Sequence, residues 1–183
     1  MAEPHAPEVL VESVLIASER ISRRVSELGQ AISRDYEGRD LRMITVLKGG
    51  LFFLADLCRA VDLPVRIDFM AVSSYIGGRP GAVRITKDLD DTIEGADVIV
   101  VEDVIDTGLT LNYVLSVLSA RKPSSLHVCT FLDKDVRRIV DLPVTYRGFD
   151  VPDRFLVGYG LDIGGLYRNI PYIATVREDC VRR

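Results

Sequence analysis

Chemistry concentrates in one stretch, Val100-Val101-Glu102-Asp103-Val104-Ile105-Asp106-Thr107-Gly108-Leu109-Thr110. An apolar run from Val98 to Val101 ends in two adjacent carboxylates. Acids at the end of a buried strand are costly unless they open onto a cleft or meet a ligand. Side by side, Glu102 and Asp103 can accept hydrogen bonds from two neighbouring hydroxyls, or support a hydrated magnesium ion, which prefers oxygen ligands. Asp106 to Thr110 then lead into a helix. A glycine that lets the backbone fold close to a ligand, successive N–H groups, a helix N-terminus and two hydroxyls make an anion site suited to phosphate. The same residues equally suit a bland role, with Asp106 and Thr107 only capping the helix.

Two further polar groups follow apolar runs. Lys48-Gly49-Gly50 comes after Met43 to Leu47, and Asp133-Lys134 comes after Leu126 to Leu132. The chain has no Gly-x-x-x-x-Gly-Lys sequence, so a nucleoside triphosphatase loop is not supported. Its 2 histidines, His5 and His127, are far apart, and its 3 cysteines, Cys58, Cys129 and Cys180, form no Cys-x-x-Cys pair. No zinc site or histidine triad is readable, and acid–base work falls to carboxylates or lysines. Cys58 and Cys129 sit among apolar residues and read as buried thiols of a reducing, cytoplasmic compartment.

The elements that carry these groups follow from hydrophobic spacing. Ile21, Val25, Leu28 and Ile32 recur as one helical stripe, with Ser18 as its N-cap and Arg23 and Arg24 on a solvated face. Strands are expected at 43–47, 65–72, 83–85, 97–101, 126–132, 144–146, 154–159 and 172–176, and helices at 51–60 and from Leu111 through Leu118. Residues 1–8 read as a loose tail, and 73–86 as a glycine- and proline-rich loop. Strands alternating with helices imply an α/β fold with a mainly parallel twisted sheet covered on both faces. Ligands of such sheets bind beyond the carboxyl ends of the strands, where all three polar groups fall.

With 183 residues the chain suits a single domain that needs no disulfide or metal staple. Its 48% hydrophobic and 27% charged residues exclude a disordered chain, and no apolar run reaches membrane-spanning length. The N-terminus carries no export signal. A net charge of -4 argues against nucleic acid as a partner.

The Glu102–Thr110 segment resembles the phosphoribosyl diphosphate (PRPP) motif of purine phosphoribosyltransferases. The resemblance continues through Leu47-Lys48-Gly49-Gly50, Asp68 to Tyr75, Lys87 to Asp90, Leu132-Asp133-Lys134, Val151 to Asp162 and Tyr167 to Ile173. It covers roughly residues 9–176 and is similar to the compact bacterial form of the hypoxanthine-guanine, or 6-oxopurine, branch of the type I phosphoribosyltransferases. It implies a twisted sheet with a small hood built from terminal segments. It also implies a purine-salvage reaction, in which a purine base attacks C1 of PRPP and pyrophosphate leaves.

Site roles come with the resemblance. Glu102 and Asp103 would hold the ribose hydroxyls beside Mg2+, and Asp106 would be the general base for the purine N7 proton. Thr107, Gly108, Leu109 and Thr110 would cradle the 5′-phosphate, Leu109 through its amide. Lys48, Gly49 and Arg168 would contact pyrophosphate, with a cis Leu47–Lys48 peptide, and Asp162 would position a second metal ion through water. Lys134 would read the purine O6 and Phe155 would stack on the ring. Leu156 and Asp162 would face the other purine edge. Ser74 and Tyr75 would belong to a flexible lid at 73–86. A homodimer or homotetramer is the implied assembly.

The lid is short and glycine-rich, and Ile163-Gly164-Gly165 stands where relatives commonly carry an aromatic residue. Preference among hypoxanthine, guanine and xanthine is therefore open. Two rival functions are an RNA-binding regulator on the same fold and a transferase for adenine or a pyrimidine. The acidic charge opposes the first, and Lys134 with Phe155 opposes the second.

Overall fold

The computed structural model describes residues 11–76 and 79–177, with side chains omitted at 74–76, 79–82 and 135. The elements run β1 (Val11–Ile16), α1 (Ser18–Asp35), β2 (Leu41–Leu47), α2 (Leu51–Ala60), β3 (Arg66–Ile76) and β4 (Arg79–Lys87). They continue with β5 (Asp97–Ile105), α3 (Leu109–Ser119), β6 (Ser125–Asp133), a 3-10 turn (Asp135–Arg137), β7 (Val144–Asp150), β8 (Leu156–Val157) and β9 (Ile173–Val176). A 6-stranded sheet has the order β4-β3-β2-β5-β6-β7. All its neighbours are parallel except β4, which returns antiparallel to β3.

Alternation along β5 explains the layers. Ile99 and Val101 pack with the α1 and α2 side chains Ile21, Val25, Phe53 and Leu57 on one face. Val98 and Val100 pack with Leu111, Val114 and Leu118 of α3 on the other. A strand apolar on both faces belongs in the middle of a covered parallel sheet. The stripe Ile21, Val25, Leu28 and Ile32 is buried as its spacing predicts.

A second sheet, β1-β9-β8, joins the chain's two ends antiparallel and forms the hood. Ile16, Leu156 and Ile173 connect it to the main core. Arg154 reaches from the loop before β8 to Glu12 of β1. No helix among the described residues is long and apolar enough to cross a membrane.

Four local expectations change. Where the sequence shows only a short apolar run at Val9–Val11 ahead of the helix, Val11–Ile16 is a strand, and it forms because β9 supplies its partner. Ser18 lies inside α1. Ala17 takes the cap position, and no side-chain hydrogen bond caps the helix. Arg24 is not merely solvated: it donates to the carbonyls of Arg147 (2.7 Å) and Gly148 (3.1 Å) at the sheet edge. Most of the expected loop at 73–86 is a hairpin, in which Ser73 pairs with Arg84 and Tyr75 with Pro80. Its β-branched and aromatic residues favour pairing despite the glycines. The tail 1–8, Gly77-Gly78 and Cys180 lie outside the described residues, as do the side chains of Ser74 and Tyr75.

Candidate functional site

The site is built where β2, β5 and β6 end together. β5 is in parallel register with both neighbours, which sets Glu102 beside Thr130 and Ile105 beside Asp133. Beyond these ends lie two cavities of about 260 and about 280 Å³. Asp103 and Val104 line both, so the two compartments adjoin.

The first compartment is lined by Glu102, Asp103 and the loop Asp106-Thr107-Gly108, with Leu47 and Gly49 opposite. Gly108 caps α3 with φ of 81°, a left-handed conformation that favours glycine. A side chain there would also press on Leu142 Cδ1. The turn aims the start of an 11-residue helix at the cavity. Its first N–H groups have no helical acceptor, which is the physical basis of an anion site. The Leu109 side chain is 51% exposed and lines neither cavity, which leaves its amide as the group it could contribute.

Glu102 and Asp103 are half-buried at the cavity wall. Burial pushes the carboxyl of Glu102 well above the ordinary range, and the Asp103 charge beside it adds to the rise. Burial also raises Asp103, partly opposed by hydrogen bonding from Val104 N–H and by the Arg168 charge. Among the described residues the Glu102 side chain has no hydrogen bond or ion pair, so its charge finds no internal relief. Hard oxygen donors in this state suit a cation or a pair of hydroxyls. Among the described residues no three carboxylate, histidine or cysteine side chains converge as a metal cage. A hydrated magnesium ion needs none, since it takes one or two carboxylates, substrate oxygens and water.

Opposite the acids, the Leu47–Lys48 peptide is cis, as the family resemblance implies. The side chain of Lys48 is exposed, while Leu47 and Gly49 line the cavity. A Cβ on Gly49 would overlap Asp103 Oδ2. A Cβ on Gly160 would in turn overlap the Gly49 carbonyl. Three remote segments thus meet through main chain and one carboxylate. Tyr159 fixes the third: its ring lies 4.9 Å from that of Phe131, and its hydroxyl donates to Asp56 of α2 at 2.8 Å. Arg168 donates to the Gly160 carbonyl and pairs with Asp162 Oδ1, both at 2.6 Å. Asp162 Oδ2 accepts from Gly165 N–H at 2.7 Å. Both oxygens of Asp162 are therefore engaged, and it forms no cage with Glu102 and Asp103.

The second compartment is lined by Asp103, Val104, Lys134, Phe155, Leu156, Leu161 and Asp162. Lys134 Nζ donates to the Arg154 carbonyl at 2.8 Å, which pins the ammonium at the wall with donors to spare. Phe155 lines this cavity and is 41% exposed rather than packed in the core, which suits an aromatic that meets a planar ligand. Leu156 is buried behind it.

Asp106 holds two unlike oxygens. Oδ2 accepts from Arg137 Nη1 at 3.2 Å, while Oδ1 is buried with no partner. Neither Arg137 nor Val104 stands out in the sequence. Arg137 could have been sought only as one of two adjacent basic residues just after Lys134, and Val104 carries no polar signal.

The chain has clear relatives in sequence and fold. A family model described as phosphoribosyl transferase domain matches residues 14–163. Hypoxanthine-guanine phosphoribosyltransferase of Mycobacterium avium is 49% identical over 174 residues, covering 91% of this chain and 86% of its own length. Hypoxanthine phosphoribosyltransferase of Escherichia coli is 47% identical over 167 residues, covering 89% of this chain and 94% of its own. A crystal structure of a Staphylococcus aureus hypoxanthine phosphoribosyltransferase superposes with a TM-score of 0.90 at 42% identity, covering 94% and 95%.

Proposed function

The chain belongs to the phosphoribosyl transferase family, and we infer that it transfers the 5-phosphoribosyl group of PRPP to hypoxanthine or guanine, giving IMP or GMP and pyrophosphate. It is a pentosyl-transferring enzyme of purine salvage. The observation that carries the reading is the pair of adjoining compartments, one suited to a sugar phosphate and the other to a flat oxygen-bearing base.

The 5′-phosphate sits at the start of α3, held by the N–H groups of Gly108, Leu109 and Thr110 and the hydroxyls of Thr107 and Thr110. Glu102 and Asp103 accept from the two ribose hydroxyls, and Mg2+ is the cation that fits beside them. Held by these carboxylates, Mg2+ would supply charge neutralisation for the leaving pyrophosphate. The backbone of Lys48 and Gly49 donates to the same group. Arg168, released from Asp162, would contact pyrophosphate, and Asp162 would then be free to help hold a metal ion through water. Lys134 donates to the purine O6. Adenine offers an amino group there, so donor faces donor. A site built on such a bond discriminates by about 10⁴ or more. Phe155 stacks on the ring, while the backbone of Leu156 and Asp162 lies along its other edge. Asp106 takes the N7 proton on Oδ1. The β3–β4 hairpin, with Ser74 and Tyr75, serves as the lid that excludes water.

The test is nucleotide formation from PRPP and Mg2+ with hypoxanthine, guanine, xanthine and adenine, for the natural enzyme and Asp106→Asn. Turnover of hypoxanthine or guanine, an inert adenine, and a loss of about 10²–10⁴-fold in the variant are expected. Turnover of adenine in preference to the oxopurines would reject the reading. Assembly as a homodimer or homotetramer in the cytoplasm accompanies it. A monomer mass by light scattering at assay concentration would reject the assembly.

A further inference from the structure

Among the described residues the only ion pair to Asp106 comes from Arg137. Arg137 closes the 3-10 turn that follows Lys134, and its N–H donates to the Lys134 carbonyl at 2.9 Å. Its guanidinium is shared: Nη1 lies 3.2 Å from Asp106 Oδ2 and Nε lies 3.0 Å from Asp153 Oδ1. Asp153 adjoins Arg154, whose carbonyl accepts from Lys134 Nζ. Two residues on, Ile139 N–H donates to the Thr107 carbonyl at 3.0 Å. One short segment therefore touches the loop after β5, the purine-facing lysine and the approach to Phe155.

All three members of the Asp106–Arg137–Asp153 bridge are about half exposed. Ion pairs this open contribute little to a fold. What the bridge does fix is the orientation of one carboxylate. With Oδ2 held by the guanidinium, the unpartnered Oδ1 is the oxygen left to accept a proton. A planar fork suits this task better than an ammonium, because its donors have fixed directions.

We propose that Arg137 is a positioning residue for phosphoribosyl transfer: tethered to Asp153, it holds Asp106 by Oδ2 and leaves the unpartnered Oδ1 for the proton. The proposal rests on Asp106 being the base, and the test separates the two. Arg137→Gln is measured in the natural background and in Asp106→Asn. In the natural background kcat falls by about 10- to 100-fold, up to the scale of a misplaced catalytic group. KM for PRPP stays within about twofold, and Arg137→Lys recovers only part of the loss. In Asp106→Asn the same substitution changes nothing, since the group it orients no longer acts as a base. Asp153→Asn, which frees the far end of the tether without touching Asp106, gives a smaller loss with the same dependence, and carries the test should Arg137→Gln not fold. An equal loss in both backgrounds, or an unchanged kcat, overturns the proposal while leaving Asp106 as the base. Failure of Asp106→Asn to impair the enzyme would instead remove the premise.

Discussion

Neighbouring strand ends treat their acids in opposite ways. At the end of β6, Asp133 is 0% exposed, yet each oxygen lies 2.6 Å from Arg138 Nη2, and Arg147 Nε lies 2.9 Å from Oδ2. One strand away, Glu102 and Asp103 keep some surface toward the cleft, and Glu102 has no cation of its own. The more deeply buried acid is the better satisfied one. Asp133 is architecture: it joins β6 to β7 and to the turn that carries Lys134 and Arg137. The acids of β5 are left for a ligand to complete, which is how a binding site costs its own fold stability.

Breaking the satisfied acid should have the largest effect. Asp133→Ala strips Arg138 of its buried carboxylate, while Arg147 keeps Asp150, and losing one partner of a buried pair destabilises by about 3–5 kcal/mol. Denaturant unfolding of the two proteins measures it. A loss below ~1 kcal/mol would erase the distinction drawn between the two strand ends.

Relieving the unsatisfied acid should do the opposite, on a smaller scale. Glu102→Gln raises the melting temperature of the ligand-free protein at neutral pH by about 2–4 °C, the shift that ~1 kcal/mol makes in a domain of this size. The same variant binds PRPP more weakly. The sign with pH follows from the raised carboxyl of Glu102. The folded state holds the proton more tightly than the unfolded chain. The stabilisation is full below the ordinary carboxylate range and is lost as pH rises through the folded value. The natural protein should therefore lose stability from mildly acidic toward neutral pH, and Glu102→Gln should flatten that decline. Melts over a pH series check both. A lower melting temperature in the variant at neutral pH would mean that an internal partner satisfies Glu102.

How far the sequence discloses this molecule depends on how local each signal is. The α1 stripe, the doubly apolar β5 and the Glu102–Thr110 motif are contiguous, and each is legible where it stands. Strand β1 is not: three of its six residues are exposed, and it exists because β9 pairs with it from 160 residues away. The β3–β4 hairpin hides behind glycines that also suit a loop. Arg24 looks solvated because the carbonyls it serves lie on β7. Phe155 by itself suits the core, and only the motif around it points to stacking until its exposure at the second cavity is known. Arg137 resembles any surface cation until Asp106 and Asp153 are seen on either side of it. Pairings across long sequence separations are what composition and spacing leave unsaid.

The crowding around Gly49 has a consequence for inhibition. The loop facing the acids offers main-chain atoms, and its shape is set by Asp103 on one side and by Gly160 on the other. A side chain at position 49 would collide with a carboxylate. An inhibitor anchored on this loop would therefore meet atoms that point mutation cannot rewrite without displacing three segments at once. Resistance would have to arise at the purine compartment, which is lined by side chains such as Leu156 and Leu161 rather than by main chain alone. Compounds that take most of their affinity from the loop, and little from the base pocket, leave the enzyme the fewest routes of escape.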